Sequence, residues 1–125
     1  MRVLQIRPTE QVDLDQDRLG ALYHQLGEDN AEDVVCRALE ELAVRLGHCD
    51  RLYHEGAWAD LRKNSRSLIA IAEQIGMHAL ARVAGDVTDC LDRGDAIAVA
   101  ATLSRLIRVG DRSLTAVWDL QDIPF

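Results

Sequence analysis

The sequence predicts an all-α protein, an up-down antiparallel four-helix bundle with a short leading N-terminal helix. Apolar residues recur at the helical spacing i, i+3, i+4 and i+7 from about residue 15 onward. Glycines mark short connections between the amphipathic segments, and short connections make consecutive helices antiparallel neighbours. The two prolines, Pro8 and Pro124, lie near the ends, so none interrupts the interior of the chain.

The first two predicted helices follow from their apolar stripes and end signals. The leading helix presents four residues on one side: Leu19, Leu22, Tyr23 and Leu26. Gly27 is expected to end it, and Asp29 with Glu32 has the spacing of a capping box that would open the second helix. The second helix has a longer stripe and reaches almost to Gly56. Its core positions are Val35, Leu39, Leu42, Leu46 and Cys49.

Three further helices complete the predicted bundle. The third has an unbroken alternation of core positions: Trp58, Leu61, Ser65, Leu68, Ala72 and Ile75. Gly76 stands where a left-handed C-cap glycine belongs. Gly94 is expected to close the fourth helix and Asp95 to cap the fifth, which Gly110 would bend or end. The stripe of the fourth helix is Leu80, Val83, Val87 and Leu91, and that of the fifth is Ile97, Ala101, Leu106, Leu114 and Val117.

The chain is expected to form one domain. Its 125 residues are enough for a single core. The bundle is predicted for residues 12–120, between an N-terminal arm of residues 1–11 and a C-terminal tail of residues 121–125. Only 4% of the residues are aromatic, so leucine, alanine, valine and isoleucine must build the core, as suits closely packed helices.

Charge and composition exclude several classes of partner. The net charge of −7 offers no basic footprint for a nucleic acid or an anionic membrane. The apolar runs are too short to span a bilayer, and the N-terminus lacks the apolar region of a signal peptide, so we expect a cytoplasmic protein. The three cysteines are odd in number and widely spaced, and they fit buried thiols better than disulfides.

No pattern in the sequence indicates a metal site or a cofactor. The segment that begins at Asp13 resembles the opening of a calcium loop, but its sixth position is Arg18 and its twelfth is His24, where glycine and glutamate are needed. The four histidines have no ligand spacing with one another or with the cysteines. We therefore expect neither a metal nor a cofactor.

The third helix has an unusual outward side. On a helical wheel, Arg62, Arg66, Ile69 and Glu73 form a second stripe away from the core, and Ala70 lies almost opposite the core. A surface helix with one exposed isoleucine is common. The alternative is a docking strip, in which small side chains let a partner approach and Arg66 is the central anchor, because arginine is enriched in binding hot spots.

This region resembles the central segment of histidine-containing phosphotransfer (HPt) domains. The stretch EGAWADLRKNSRSLIAIAEQIGMHALARVA, residues 55–84, matches that family in the order and spacing of several residues: Gly56, Trp58, Leu61, Arg62, Leu68, Ile75 and Gly76. The Gly-Asp turn before the last helix and the lead-in helix are also similar, so the resemblance covers roughly residues 12–120. It implies an HPt-like four-helix bundle.

The resemblance also aligns Arg66 with the phosphorylatable histidine of the family. Ile69 then replaces the family's lysine, and Ala70 its glycine. A phosphodonor histidine attacks phosphorus with a neutral ring nitrogen, whereas a guanidinium stays protonated and has no free lone pair for that attack. We therefore expect a non-catalytic protein that carries no phosphate at this site.

The resemblance implies a partner in two-component signalling, either a response-regulator receiver domain or a histidine kinase. Arg66 would pair with the acidic pocket of a receiver, with Arg62, Ile69, Ala70 and Glu73 around it. Two alternatives remain open. One is active phosphotransfer through a displaced histidine, His54 or His78. The other is a scaffold in which a second copy of the chain packs on the same strip to form a homodimer.

Overall fold

The computed structural model describes residue 12 and residues 14–121, and these residues form five α-helices. The helices are α1 Gln16–Leu26, α2 Glu28–His54, α3 Trp58–Gln74, α4 His78–Arg93 and α5 Ala96–Gln121. The described part of the chain contains no strand. The predicted N-terminal arm of residues 1–11 lies outside the described residues, as do Asp13 and residues 122–125 of the predicted tail.

Glycines end the helices where the sequence predicts. Gly27, Gly76 and Gly94 all have positive φ, between 67° and 78°, which glycine adopts without steric strain. Asp95 caps α5, because its carboxylate accepts a hydrogen bond of 3.1 Å from the backbone N–H of Ala98. The predicted capping box at Asp29 is wrong. The helix α2 begins at Glu28, directly after Gly27, and no side chain caps it.

The helices pack around one aliphatic core. The helix α2 lies against α3 and α5, α4 also lies against α3 and α5, and α1 packs on α2. This cycle of contacts is compatible with a four-helix bundle that has a leading helix. The predicted stripe of α2 is entirely buried, and the largest fully buried side chains include Leu42, Leu61, Leu68, Ile75, Met77, Leu80 and Leu106. Each such side chain stabilises the fold by roughly 1.5–3 kcal/mol.

Four residues of the predicted stripes are exposed instead: Leu26 at the end of α1, Trp58 in the first turn of α3, and Ile97 and Ala101 in α5. Trp58 is 47% exposed, and its ring contacts Tyr53 edge-on at a centroid distance of 5.7 Å. At Trp58 the neighbouring helices no longer cover the stripe that the wheel extends to the first turn of α3.

Ile97 is 85% exposed at the second position of α5. Ile97 and Ala101 lie on the side of α5 opposite its buried residues Val99, Leu103 and Leu106, so the stripe predicted for this helix begins on the wrong side.

The helix α5 continues through Gly110, so the prediction that this residue ends the helix is wrong. Gly110 is buried where α5 crosses α2. A Cβ atom at this position would stand 2.5 Å from Cδ1 of Leu46 and 2.9 Å from its Cδ2. The glycine therefore serves a close approach of two helices, which is a tertiary requirement that the sequence does not reveal.

The start of α1 is fastened to the turn between α3 and α4 by a set of polar contacts, which we call the α1 clasp. The backbone N–H of Asp15 donates to the carbonyl of Gly76 at 2.9 Å. The Asp15 carboxylate accepts from the backbone N–H of Arg18 at 2.9 Å and lies 2.8 Å from Nε2 of His78. Nε of Arg18 donates to the carbonyl of Gln74 at 3.1 Å. The clasp fixes α1 beside the α3–α4 turn.

The close approach at Gly110 predicts opposite effects for two helical glycines. Gly110→Ala and Gly47→Ala gain the same helix propensity, but only at Gly110 does the new methyl group meet another side chain. We expect Gly110→Ala to be less stable than Gly47→Ala by about 1–3 kcal/mol. Urea unfolding of both variants measures this difference. Equal stabilities would contradict the close packing of α5 on α2.

The α1 clasp predicts a loss of stability in acid. The hydrogen bond from His78, followed by that from the backbone of Arg18, lowers the pKa of Asp15 below its ordinary value of 3.8. The ionised carboxylate therefore stabilises the fold fully above the ordinary pKa, and this contribution disappears as the pH falls through the lowered one. Asp15→Asn should be less stable than the parent at about pH 6, and this difference should shrink as the pH falls through the lowered pKa of Asp15.

Unfolding by urea across this pH range measures the effect. Asp33→Asn is the matched control, because it removes an exposed carboxyl group on α2 that takes no part in the clasp. The role assigned to Asp15 is wrong if both variants have the same pH profile.

Candidate docking face on α3

The outward side of α3 carries a shallow groove of about 420 Å³. We call the residues that line it the α3 groove: Ala59, Arg62, Lys63, Arg66, Ser67 and Ala70. Residues three and four apart lie on the same side of a helix, which brings these six together. The opposite side of α3 is the core stripe, in which Leu61, Leu68 and Ala72 are fully buried. The burial of this stripe turns the groove toward solvent.

One of the three cations of the groove is held by a neighbouring helix. Nε of Arg62 donates to Oδ1 of Asp92 on α4 at 2.6 Å, and Nη2 donates to Oδ2 at 3.2 Å. This two-point contact lowers the pKa of Asp92 and raises that of Arg62. Both side chains remain partly exposed, at 39% and 50%. The pair therefore orients Arg62 more than it stabilises the fold.

Arg66 occupies the exposed middle of α3, as the helical wheel predicts. Its positive charge contributes to the low pKa of Asp92, so its guanidinium lies within electrostatic reach of that carboxylate. Among the described residues, neither Arg66 nor Lys63 has a side-chain hydrogen bond or an ion pair. The two side chains are accordingly available to a ligand.

The predicted docking residues do not all line the groove. Arg62, Arg66 and Ala70 do, whereas Glu73 is exposed near the end of α3 and is not among the lining residues. The view of Ile69 as an outward residue needs correction. Ile69 is half-buried, packs against the core, and places its Cδ1 beside Gly85 of α4. Its side chain helps to join α3 to α4.

The prediction missed four residues of this region. Ala59, Lys63 and Ser67 share the period of Arg62 and Arg66, and a wider wheel would include them. Asp92 leaves no such signal, because it lies 30 positions away from Arg62 on another helix. Only the packing of α4 on α3 brings its carboxylate to the groove.

A buried polar contact fixes how α3 lies on α2. Asn64 of α3 is polar but only 6% exposed. Its Nδ2 donates to the carbonyl of Arg45 at 2.7 Å and to Sγ of Cys49 at 3.1 Å. Nη1 of Arg45 donates in return to Oδ1 of Asn64 at 3.0 Å. Burial raises the pKa of Cys49, so the thiol stays protonated within this contact.

The two histidines considered for a displaced phosphotransfer site lie at helix ends. Nε2 of His54 is 3.4 Å from Oδ1 of Asp50, and Nε2 of His78 is bound to Asp15 in the α1 clasp. Neither belongs to the α3 groove. In the part of the chain that the structure describes, no three histidine, cysteine or acidic residues are grouped to hold a metal ion. None of the five helices is both long and apolar enough to cross a membrane.

The contact with Asp92 predicts a difference between two exposed arginines. The Nε–H of Arg62 is hydrogen-bonded, so it should exchange with water more slowly than the Nε–H of Arg66. Exchange measured by NMR on the arginine side chains tests this. Asp92→Asn should speed exchange at Arg62 and leave that of Arg37, an exposed arginine on α2, unchanged. Equal rates at Arg62 before and after the substitution would contradict the ion pair.

Comparisons of the chain with protein families, with curated proteins and with solved structures found no match in any of the three.

Proposed function

We propose that residues 12–120 form an HPt-like, up-down antiparallel four-helix bundle that docks a response-regulator receiver domain without carrying phosphate. The observation that carries the proposal is the position of Arg66. An exposed arginine stands in the middle of α3, within a groove that holds two more cations, at the place where the resemblance expects a phosphorylatable histidine. A histidine kinase is the second partner of the same signalling class, and either partner locates the chain in the cytoplasm.

The packing of the helices supports the fold in this proposal. The helices α2, α3, α4 and α5 each contact two others and form a closed cycle, as an antiparallel bundle requires. The leading helix α1 lies outside this cycle, against α2. The α3 groove thus lies on the outer surface of the bundle, where a partner has access to it.

Charge supports an acidic partner. The chain as a whole carries a net charge of −7, yet Arg62, Lys63 and Arg66 line one groove. The pocket of a receiver is acidic and therefore complements this groove. Arginine suits such a pocket, because its planar guanidinium binds carboxylates through two hydrogen bonds and stays charged.

Chemistry excludes phosphotransfer at Arg66, because the guanidinium has no free lone pair to attack phosphorus. Ile69 supplies no charge for a phosphoryl group, and its side chain is packed against the core. The protein would therefore occupy a receiver and withhold it from other partners.

Binding measurements against the receiver domains of the host test this function. We expect at least one receiver to bind and Arg66→Glu to weaken that complex about 30-fold or more, as for an arginine hot spot. Arg37→Glu is the matched control, because it makes the same charge change on the exposed side of α2. The proposal is wrong if no receiver binds, or if both variants bind as the parent does.

Two further measurements test the alternatives. Incubation with a phosphorylated receiver should leave no acid-labile phosphate on the chain; phosphate on His54 or His78 would support active phosphotransfer instead. The mass in solution should be that of a monomer, since Ile69, the largest apolar residue of the predicted strip, is already half-buried. A dimer that Ala70→Asp dissociates would support the homodimer.

A further inference from the structure

We propose that the α3 groove binds a phosphoryl group on the partner, and hence that the protein prefers the phosphorylated receiver to the unphosphorylated one. This inference rests on the proposed function and names the ligand of the same groove. The phosphoryl group is the one on the receiver's own aspartate, and it stays there. No covalent step takes place on this chain.

The first argument is the balance of charge in the groove. Arg62, Lys63 and Arg66 supply three positive charges, and Asp92 offsets one of them. The remaining excess of about two positive charges matches a phosphoryl group, which carries about −1.5 to −2 near pH 7. A single carboxylate has half that charge and would leave a cation of the groove without a counter-charge. Asp60 lies within the length of α3 that the groove spans, but it is not among the lining residues.

The second argument is the orientation of Arg62. Asp92 uses Nε–H and one hydrogen of Nη2, which leaves both hydrogens of Nη1 and the second hydrogen of Nη2 free of that contact. The guanidinium is thereby held by α4 before a ligand arrives, and its remaining donors can serve an oxygen acceptor. A side chain that is oriented before binding loses less conformational entropy when the complex forms. Asp92 is a positioning residue in this scheme.

The third argument is space. Ala59 and Ala70 lie at the two ends of the groove along α3 and have the smallest side chains that a helix commonly carries. They let the surface of a partner approach the cations closely. The hydroxyl of Ser67 donates to the carbonyl of Lys63 at 3.2 Å, so its proton is already used within the helix. The charged donors for three phosphoryl oxygens are then Arg62, Lys63 and Arg66.

The test uses a receiver that binds in the assay described above. Its affinity is measured by calorimetry with Mg²⁺ alone and with Mg²⁺ and beryllofluoride, which imitates the aspartyl phosphate. We expect the beryllofluoride form to bind about tenfold more tightly or better. Lys63→Gln and Arg66→Gln should reduce this ratio several-fold. Arg37→Gln, which removes the same charge from α2, should preserve it.

The variant Asp92→Asn distinguishes two possible roles of Asp92, the orientation of Arg62 and the contribution of a negative charge beside the groove. It removes a negative charge beside the groove, so a purely electrostatic role would strengthen binding of the beryllofluoride form. If Asp92 instead acts by orienting Arg62, loss of their contact should weaken binding of the beryllofluoride form. Circular dichroism and the melting temperature of each variant confirm that the bundle is intact.

Each outcome decides the inference separately from the docking function. Equal affinity for both receiver forms, or tighter binding of the unphosphorylated form, would overturn the phosphoryl preference and leave docking in place. A preference that Lys63→Gln and Arg66→Gln do not change would also overturn it, because the receiver's own conformational change would then explain the ratio. Binding of neither form by the parent protein would overturn both proposals.

Discussion

The burial of one side of α3 is the constraint on which the candidate site depends. Leu61, Leu68 and Ala72 are completely buried between α2 and α4. A helix has one rotation about its own axis that buries such a stripe, so the residues on the opposite side must face solvent. Arg66 is exposed for this reason, and no local feature of its own is needed to expose it.

Polar contacts also join α3 to both of its neighbouring helices. Asn64 is buried and bonded to Arg45 and Cys49 of α2. A shift of α3 along α2 would leave these groups buried without partners, which is costly. On the other side, Arg62 is bound to Asp92 of α4. The helix that carries the groove is thus hydrogen-bonded to both α2 and α4.

The groove places cations together in a chain with an excess of acidic residues. A group of cations on a chain with a net negative charge can attract an acidic partner to that place. The expectation that nucleic acid is not a partner rests on the net charge of −7.

The fold class and most of the core follow from the sequence, because hydrophobic periodicity records which side of each helix is buried. The whole stripe of α2 and most of that of α3 are buried as predicted, and Gly76 and Gly94 end their helices as predicted. The exposure of Arg66 is a consequence of the same period. The error at Trp58 occurs at the start of a helix, where its neighbours no longer cover it. The errors at Ile97 and Ala101 occur because the predicted stripe of α5 begins on the wrong side of the helix, opposite Val99 and Leu103.

The sequence by itself determined that the chain is helical, which sides of its helices are apolar, and that a guanidinium stands in the middle of α3. Only the tertiary structure decided what surrounds that guanidinium. Asp92 and Gly85 come from α4, and the partners of Asn64 come from α2. These contacts join residues that are far apart in the sequence, so they depend on how the helices pack and leave no mark in the period of any single helix.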